Sequence, residues 1–169
     1  HFARPEDELS RARQNRTLHR NFQGYTTKAG TDLIGLGMSA IGSIGSAYVQ
    51  NARELPGYRA AVESEGAASF RGFRLSQDDR IRRTVIGNLL CHGAVVKKEI
   101  ETASGISFDS YFADALERLA RGAKDGLVEL QREEIRATPL GRVFLRNLAM
   151  PFDAYLAATP EKPVFSRTL

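Results

Sequence analysis

Apolar residues recur at three- and four-residue intervals through the second half of the chain and almost nowhere in the first. Ile81, Val85 and Leu89, flanked by Ile86 and Leu90, form one helical stripe. Ser76-Gln77-Asp78-Asp79 precedes it as an N-cap followed by an acid at the third helical position. Lys97 to Ala103 predicts a short helix stopped near Gly105, and Phe108, Phe112, Leu116 and Leu119 predict a further amphipathic one. After Asp125-Gly126, the runs Leu127 to Leu130 and Glu134 to Ala137 alternate as a hairpin does. Thr138-Pro139 then opens a helix with Leu140, Phe144, Leu148, Phe152 and Leu156 along one face.

The first half patterns differently. Pro5 to Gln14 predicts a short helix, with Glu6, Asp7 and Glu8 where the helix dipole favours acids. Leu18 to Thr27 has no helical period and is expected to be loop. Leu33 to Val49 carries no charge, but its glycines and serines make it a poor membrane span. Gly35-x-Gly37-x-x-Ala40 is similar to a dinucleotide fingerprint, yet no good helix former follows it. A buried strand over Asp32 to Leu36, a glycine-rich loop and a second strand near Ser46 to Gln50 fit better. Tyr58 to Glu65 predicts a helix ended by Gly66. The expected fold is thus α+β, mostly α. Residues 1–55 would be the end of an α/β barrel, and residues 56–169 a helical domain whose helix trio and hairpin resemble a winged helix.

Composition adds constraints. With 42% hydrophobic and 26% charged residues among 169, the chain can form a globular core. Cys91 is the one cysteine, so the chain forms no internal disulfide and builds no thiolate cluster; a reducing, cytoplasmic compartment is expected. A small apolar core residue is the simplest role for that thiol. Net charge is +4, and Arg11, Arg13, Arg16, Arg20 and Lys28 lie between Leu9 and Thr31 with no acid among them. Such a run is either a solvated face or a surface for phosphates or carboxylates. The first residue is His1 rather than Met and no leader pattern follows, so truncation is expected.

The run Leu18-His19-Arg20-Asn21-Phe22-Gln23-Gly24-Tyr25-Thr26-Thr27 is specific, as is Asp32-Leu33-Ile34-Gly35-Leu36-Gly37-Met38-Ser39-Ala40-Ile41. With them, Asp78 to Arg83, Lys124 to Val128, Arg146-Asn147, Phe165-Ser166-Arg167 and the opening His1-Phe2-Ala3 resemble oxygen-independent coproporphyrinogen III oxidase, a radical S-adenosylmethionine (SAM) family of haem biosynthesis. The resemblance covers essentially the whole chain and implies that it is a C-terminal fragment: the final segment of a radical SAM α/β barrel, then a winged-helix-like domain.

It further implies oxidative decarboxylation of two propionates of coproporphyrinogen III to give protoporphyrinogen IX. A reduced [4Fe-4S] cluster would cleave SAM to a radical that abstracts hydrogen from a propionate. By motif position, Phe22, Gln23 and Ile41 would contact SAM. Implied partners are coproporphyrinogen III, SAM and an electron donor, with a monomeric enzyme that neither binds nucleic acid nor spans a membrane. The family's C-x-x-x-C-x-x-C cluster motif has no counterpart here, so the fragment alone is expected to be inactive. Arg20, beside the Phe22–Gln23 loop, is a candidate for a substrate propionate, with an ion pair to Asp32 as the alternative.

Two rival readings compete. A winged-helix nucleic-acid module would need cations on its wing, but Glu129, Glu133 and Glu134 outnumber Arg132 and Arg136 there. A haem-handling paralogue of the same family would be expected to diverge around Phe22–Gln23, which is intact.

Overall fold

A computed structural model describes residues 3–157. His1-Phe2 and the Phe165-Ser166-Arg167 end of the resemblance lie outside the described residues. The chain forms two compact units, residues 19–80 and residues 1–18 with 81–169. The class is α+β and mostly helical.

The amino-terminal helix α1 spans Glu8–Gln14 and begins later than Pro5, because Asp7 is its N-cap and accepts from the Leu9 N–H at 2.8 Å. It belongs to the same unit as the chain beyond Ile81. Arg16 reaches Glu134 there at 3.2 Å, and Ala12 and Leu18 are buried.

In the unit of residues 19–80, strands β1 (His19–Asn21) and β2 (Gly24–Thr26) form a hairpin where sequence periodicity suggested loop. Strands β3 (Ile41–Ile44), β4 (Ala47–Asn51) and β5 (Ser69–Arg74) form an antiparallel sheet in the order β3-β4-β5. Helix α2, Leu55–Glu65, ends at Gly66 as expected and connects β4 to β5. The boundary expected at 55/56 falls inside this unit, since β5 returns across α2 to pair with β4.

One expected element is corrected. Asp32 to Leu36 is not a buried strand: Leu33 makes a single bridge with Ser43, while Ile34 and Leu36 are 71% and 85% exposed. The backbone leaves little room for more. A Cβ on Gly42 would stand 2.8 Å from the Leu33 carbonyl oxygen, so glycine at 42 is what allows the two segments to touch. Asp32 fixes the segment's start by accepting from the Gly45 N–H at 2.7 Å.

Helix α3 spans Gln77–His92, and its capping box is reciprocal. Ser76 Oγ accepts from the Asp79 N–H at 3.1 Å, and Asp79 Oδ2 accepts from the Ser76 N–H at 2.8 Å. Ile81, Val85 and Leu89 are buried, as their spacing predicts. There follow β6 (Ala94–Val96), α4 (Lys97–Ser104), α5 (Phe108–Tyr111), α6 (Ala113–Lys124), β7 (Val128–Leu130) and β8 (Glu134–Ala137). The strands pair in the order β6-β8-β7. Helix, strand, two helical stages and a hairpin whose last strand pairs with the first is winged-helix topology, as anticipated. The single helix expected from Phe108 breaks at Phe112, whose ring is buried between Phe108 and Phe152 at centroid distances of 4.9 and 5.3 Å.

The helix expected over Leu140 to Leu156 is not continuous. It is a 3₁₀ turn at Gly141–Phe144, α7 at Leu145–Ala149, a second 3₁₀ turn at Met150–Phe152 and α8 at Ala154–Ala157. Pro151 has no N–H to continue a helical ladder. At the other end, the first turn is wedged against β7. Thr138 Oγ accepts from the Gly141 N–H at 3.0 Å, and a Cβ on Gly141 would run into the Leu127 carbonyl. Only Leu148 and Phe152 of the five apolar positions are buried.

These contacts set two opposite outcomes. Gly141→Ala is expected to destabilise the fold by about 3 kcal/mol or more, since backbone must move. Gly87→Ala, inside α3 with open space at its Cβ, should stabilise it by about 0.5–1 kcal/mol. Urea unfolding midpoints of the two variants against the parent chain measure both.

Candidate functional site

The register of β1 and β2, Asn21 against Gly24, leaves Phe22 and Gln23 as a two-residue turn at the hairpin tip. Such hairpins usually place their central residues at positive φ. Here neither Phe22 nor Gln23 does so, and Gly24 at φ 130° takes up the mismatch. Asn21 Oδ1 accepts from the Gln23 N–H at 2.9 Å, closing the tip as an Asx turn. The Gln23 amide and the Phe22 ring, 47% exposed, are thus held outward on an ordered turn. One stem residue, Arg20, is exposed and lies over the Tyr25 ring at 5.3 Å. Among the described residues it makes no ion pair with Asp32, whose carboxylate is engaged by Gly45.

Ile41 opens β3, half-buried. Residues paired across an antiparallel sheet project from the same face. The row Ile41–Gln50–Arg71 and the next row Ser43–Tyr48–Phe73 therefore share one face. Phe22 packs edge-on against Tyr48, centroids 5.0 Å apart at 86°. Tyr48 thereby joins the hairpin tip to the face that carries Ile41. Of the four residues singled out from the sequence, the structure brings Phe22 and Ile41 onto one surface, with Gln23 beside Phe22. Arg20 stands on the hairpin stem.

Sequence reading did not single out Tyr48, Asn51 or Arg71. Asn51 is the clamp of the glycine-rich loop: its Nδ2 donates to the Gly35 and Gly37 carbonyls, each at 2.9 Å. The Tyr58 hydroxyl accepts from the Gly37 N–H at 3.2 Å. Inside the clamped loop Ser39 adopts φ 58°, a left-handed conformation costing about 1–2 kcal/mol for a residue with a Cβ. It is held there by its N–H on the Ala52 carbonyl at 2.8 Å and by Gln50 Nε2 on its own carbonyl at 3.3 Å. Strain of this kind collects beside ligand sites. The loop also presents Ile34, Leu36 and Met38 outward.

In the winged-helix unit the third helix is partly covered. That helix, α6, is the one that would enter a groove. The segment after β8 packs on that helix, with Leu148 Cδ2 only 3.3 Å from where a Cβ of Gly122 would lie. Arg118 on α6 donates to the Pro151 carbonyl at 2.7 Å and to that of Asp114 at 3.3 Å. No group of three or more His, Cys, Asp or Glu side chains placed to hold a metal occurs among the described residues. Cys91 is buried.

A winged-helix unit and a separate small-sheet unit bearing an ordered aromatic hairpin tip thus make up the chain. Residues 75–144 match the family described as HemN C-terminal domain. Over all 169 residues it is 47% identical to oxygen-independent coproporphyrinogen III oxidase of Salmonella typhimurium, covering 37% of that protein. The Escherichia coli K12 protein of the same name gives the same identity and coverage, and that of Pseudomonas aeruginosa is 44% identical with 36% covered. A solved structure, coproporphyrinogen III oxidase (HemN) from Escherichia coli, described as a radical SAM enzyme, superposes with a TM-score of 0.88 at 48% identity. That match covers 91% of this chain and 36% of the other. The chain thus spans a little over a third of the length of the curated relatives it matches.

Asn51→Ala would remove both donors that hold the glycine-rich loop. Amide exchange at Ser39 and Asn51 should then quicken by about tenfold or more, while protection in α3 stays unchanged. Exchange measured by mass spectrometry or NMR at these amides tests the clamp.

Proposed function

We propose that this chain is the C-terminal part of a radical SAM enzyme that oxidatively decarboxylates two propionates of coproporphyrinogen III, yielding protoporphyrinogen IX. The observation that carries the reading is 47% identity over every residue of the chain to relatives bearing that enzyme's name. The assignment of the segment before α2 to the end of the radical SAM barrel belongs to the same proposal. So do a cytoplasmic location, a monomeric state and an electron donor for the cluster. Among the described residues no helix is long and apolar enough to cross a membrane.

The residues here do not fit the [4Fe-4S] cluster. A cubane of this type takes three thiolates from the protein, and Cys91 supplies one, buried. Cluster ligation is a task for the rest of the whole protein. SAM fits better: an outward amide, an exposed aromatic edge and an aliphatic side chain on one face suit a ligand with an adenine plane and polar groups. When bound, it supplies the radical that removes hydrogen from the substrate. Phe22 and Ile41 then give apolar contact, and the Gln23 amide fixes a polar group of the ligand. The clamped glycine-rich loop keeps backbone close to the same face. Arg20 is positioned to take a propionate, and its stacking on Tyr25 holds the guanidinium ready at modest entropic cost.

Two measurements in the whole enzyme test these roles. Gln23→Ala and Ile41→Ala are each expected to slow SAM-dependent turnover by roughly ten- to a hundredfold with iron content unchanged. Full activity in both variants would sink the SAM assignment. Arg20→Met should raise the KM for coproporphyrinogen about tenfold or more and leave that for SAM in place. An unmoved substrate constant would return Arg20 to a purely structural role.

A further inference from the structure

Strand β5 reads Ser69-Phe70-Arg71-Gly72-Phe73-Arg74, and all six of its residues are exposed. A strand at the edge of a sheet ordinarily buries one face. This one shows phenylalanines and arginines to solvent on both, with Phe70 at 69% exposure. Its two arginines are not equivalent. Arg74 pairs with Ala47, which projects with Val49 and Gly42 from the far face. Arg71 pairs with Gln50, which pairs with Ile41, so its side chain rises from the face that bears Ile41, Tyr48 and Phe73.

Two strand spacings of about 4.8 Å separate the Arg71 and Ile41 backbones, placing them roughly 10 Å apart along one row. Among the described residues Arg71 makes no ion pair or hydrogen bond. Its neighbours on this face are an amide, a phenol and apolar groups, none of which neutralises it. A guanidinium with five donors and no carboxylate partner, beside an aromatic wall, suits a planar bidentate anion.

We infer that Arg71 anchors a carboxylate of the ligand lying on this sheet face, beyond the contacts made by Phe22, Gln23 and Ile41. This rests on the proposed function, which brings two carboxylate carriers to the site: a porphyrinogen propionate and the amino-acid carboxylate of SAM. The shared chemistry is a carboxylate in a two-point hydrogen-bonded pair. Arg71 touches the ligand away from the reacting atoms, so it governs binding and placement more than the chemical step.

The test uses the whole enzyme with Arg71→Met and Arg71→Lys, measuring kcat and the separate KM values for coproporphyrinogen and SAM. Loss of a charge-assisted pair should raise one KM by roughly ten- to a hundredfold in the Met variant. A change confined to coproporphyrinogen assigns the propionate, and one confined to SAM assigns its carboxylate. The Lys variant should recover part of the loss, because a point charge replaces half of the fork. Neither KM moving, or Lys behaving as Met does, would overturn the inference. A fall in kcat with both KM values unchanged would also overturn it. Circular dichroism melts of both variants should overlay the parent, since the side chain is exposed and has no protein partner. The parallel Gln23→Ala and Ile41→Ala variants separate the two levels. If they lose turnover while Arg71→Met binds normally, only this inference fails. If they too are fully active, the assignment of a ligand to this sheet face fails with it. Absence of SAM-dependent turnover in the parent enzyme would sink the proposed function itself.

Discussion

Strand β4 has a hydrogen-bonded partner on each side, and the candidate ligand face depends on that. Ala47 to Asn51 pair with β3 on one edge and β5 on the other. A two-stranded ribbon alone is marginal in water. The third strand makes the face stable enough to aim side chains. It also carries register from one edge to the other. Ile41, Gln50 and Arg71 form one row because the β4 pairings fix both neighbours. A slip of one residue would send all three to the opposite face. The last residue of β4, Asn51, extends this control into irregular backbone. It holds two carbonyls of a loop that has no ladder of its own.

The helical unit is organised by a different constraint, the exclusion of water around three phenylalanines. Phe108, Phe112 and Phe152 are buried, and the last comes from chain that follows the winged helix. That addition changes what the fold can do. Winged helices read nucleic acid with an exposed third helix, whereas here Leu148 and Phe152 pack against that helix and Arg118 is held on backbone carbonyls. The architecture is shared with nucleic-acid readers; here part of the third helix is covered, while Glu117, Arg118, Arg121 and Lys124 remain exposed. Function follows the site and not the fold.

The pattern of polar and apolar residues announced those parts of the chain that bury one face. Ile81, Val85 and Leu89 predicted α3, and Ser76 with Asp79 predicted its start to the residue. Where burial is not the organising force, periodicity misled or was silent. β5 is exposed on both faces and is specified by backbone pairing to β4, so it left no alternation to find. The β1–β2 hairpin has three-residue strands, too short for a pattern. The run from Leu140 to Leu156 is apolar at helical spacing, yet Pro151 and the contact of Gly141 with Leu127 divide it. At the site, motif resemblance picked out Phe22, Gln23 and Ile41, but not the residue that joins them. Tyr48 sits in an ordinary strand and has no motif; its register with Ser43 and its edge contact with Phe22 are visible only in the structure.

The apolar positions of residues 19–80 complete the argument about how labour is divided. Ile34, Leu36 and Met38 face outward, as do Phe22, Phe70 and Phe73. Exposed side chains of this size do not stabilise the unit that carries them, and contiguous ones mark binding surfaces. Buried apolar side chains are correspondingly few within this unit, among them Ala68 and Leu75. Its order comes instead from strand pairing and from polar clamps: Asn51 on the glycine-rich loop, Asp32 on Gly45, Asn21 on the hairpin tip. A unit held by hydrogen bonds can leave its aromatic and aliphatic groups uncommitted. Those exposed side chains then form an apolar surface available for contact. The helical unit instead buries Phe108, Phe112 and Phe152 in its own core, with exposed apolar groups such as Leu140 and Val143 on the segment after β8.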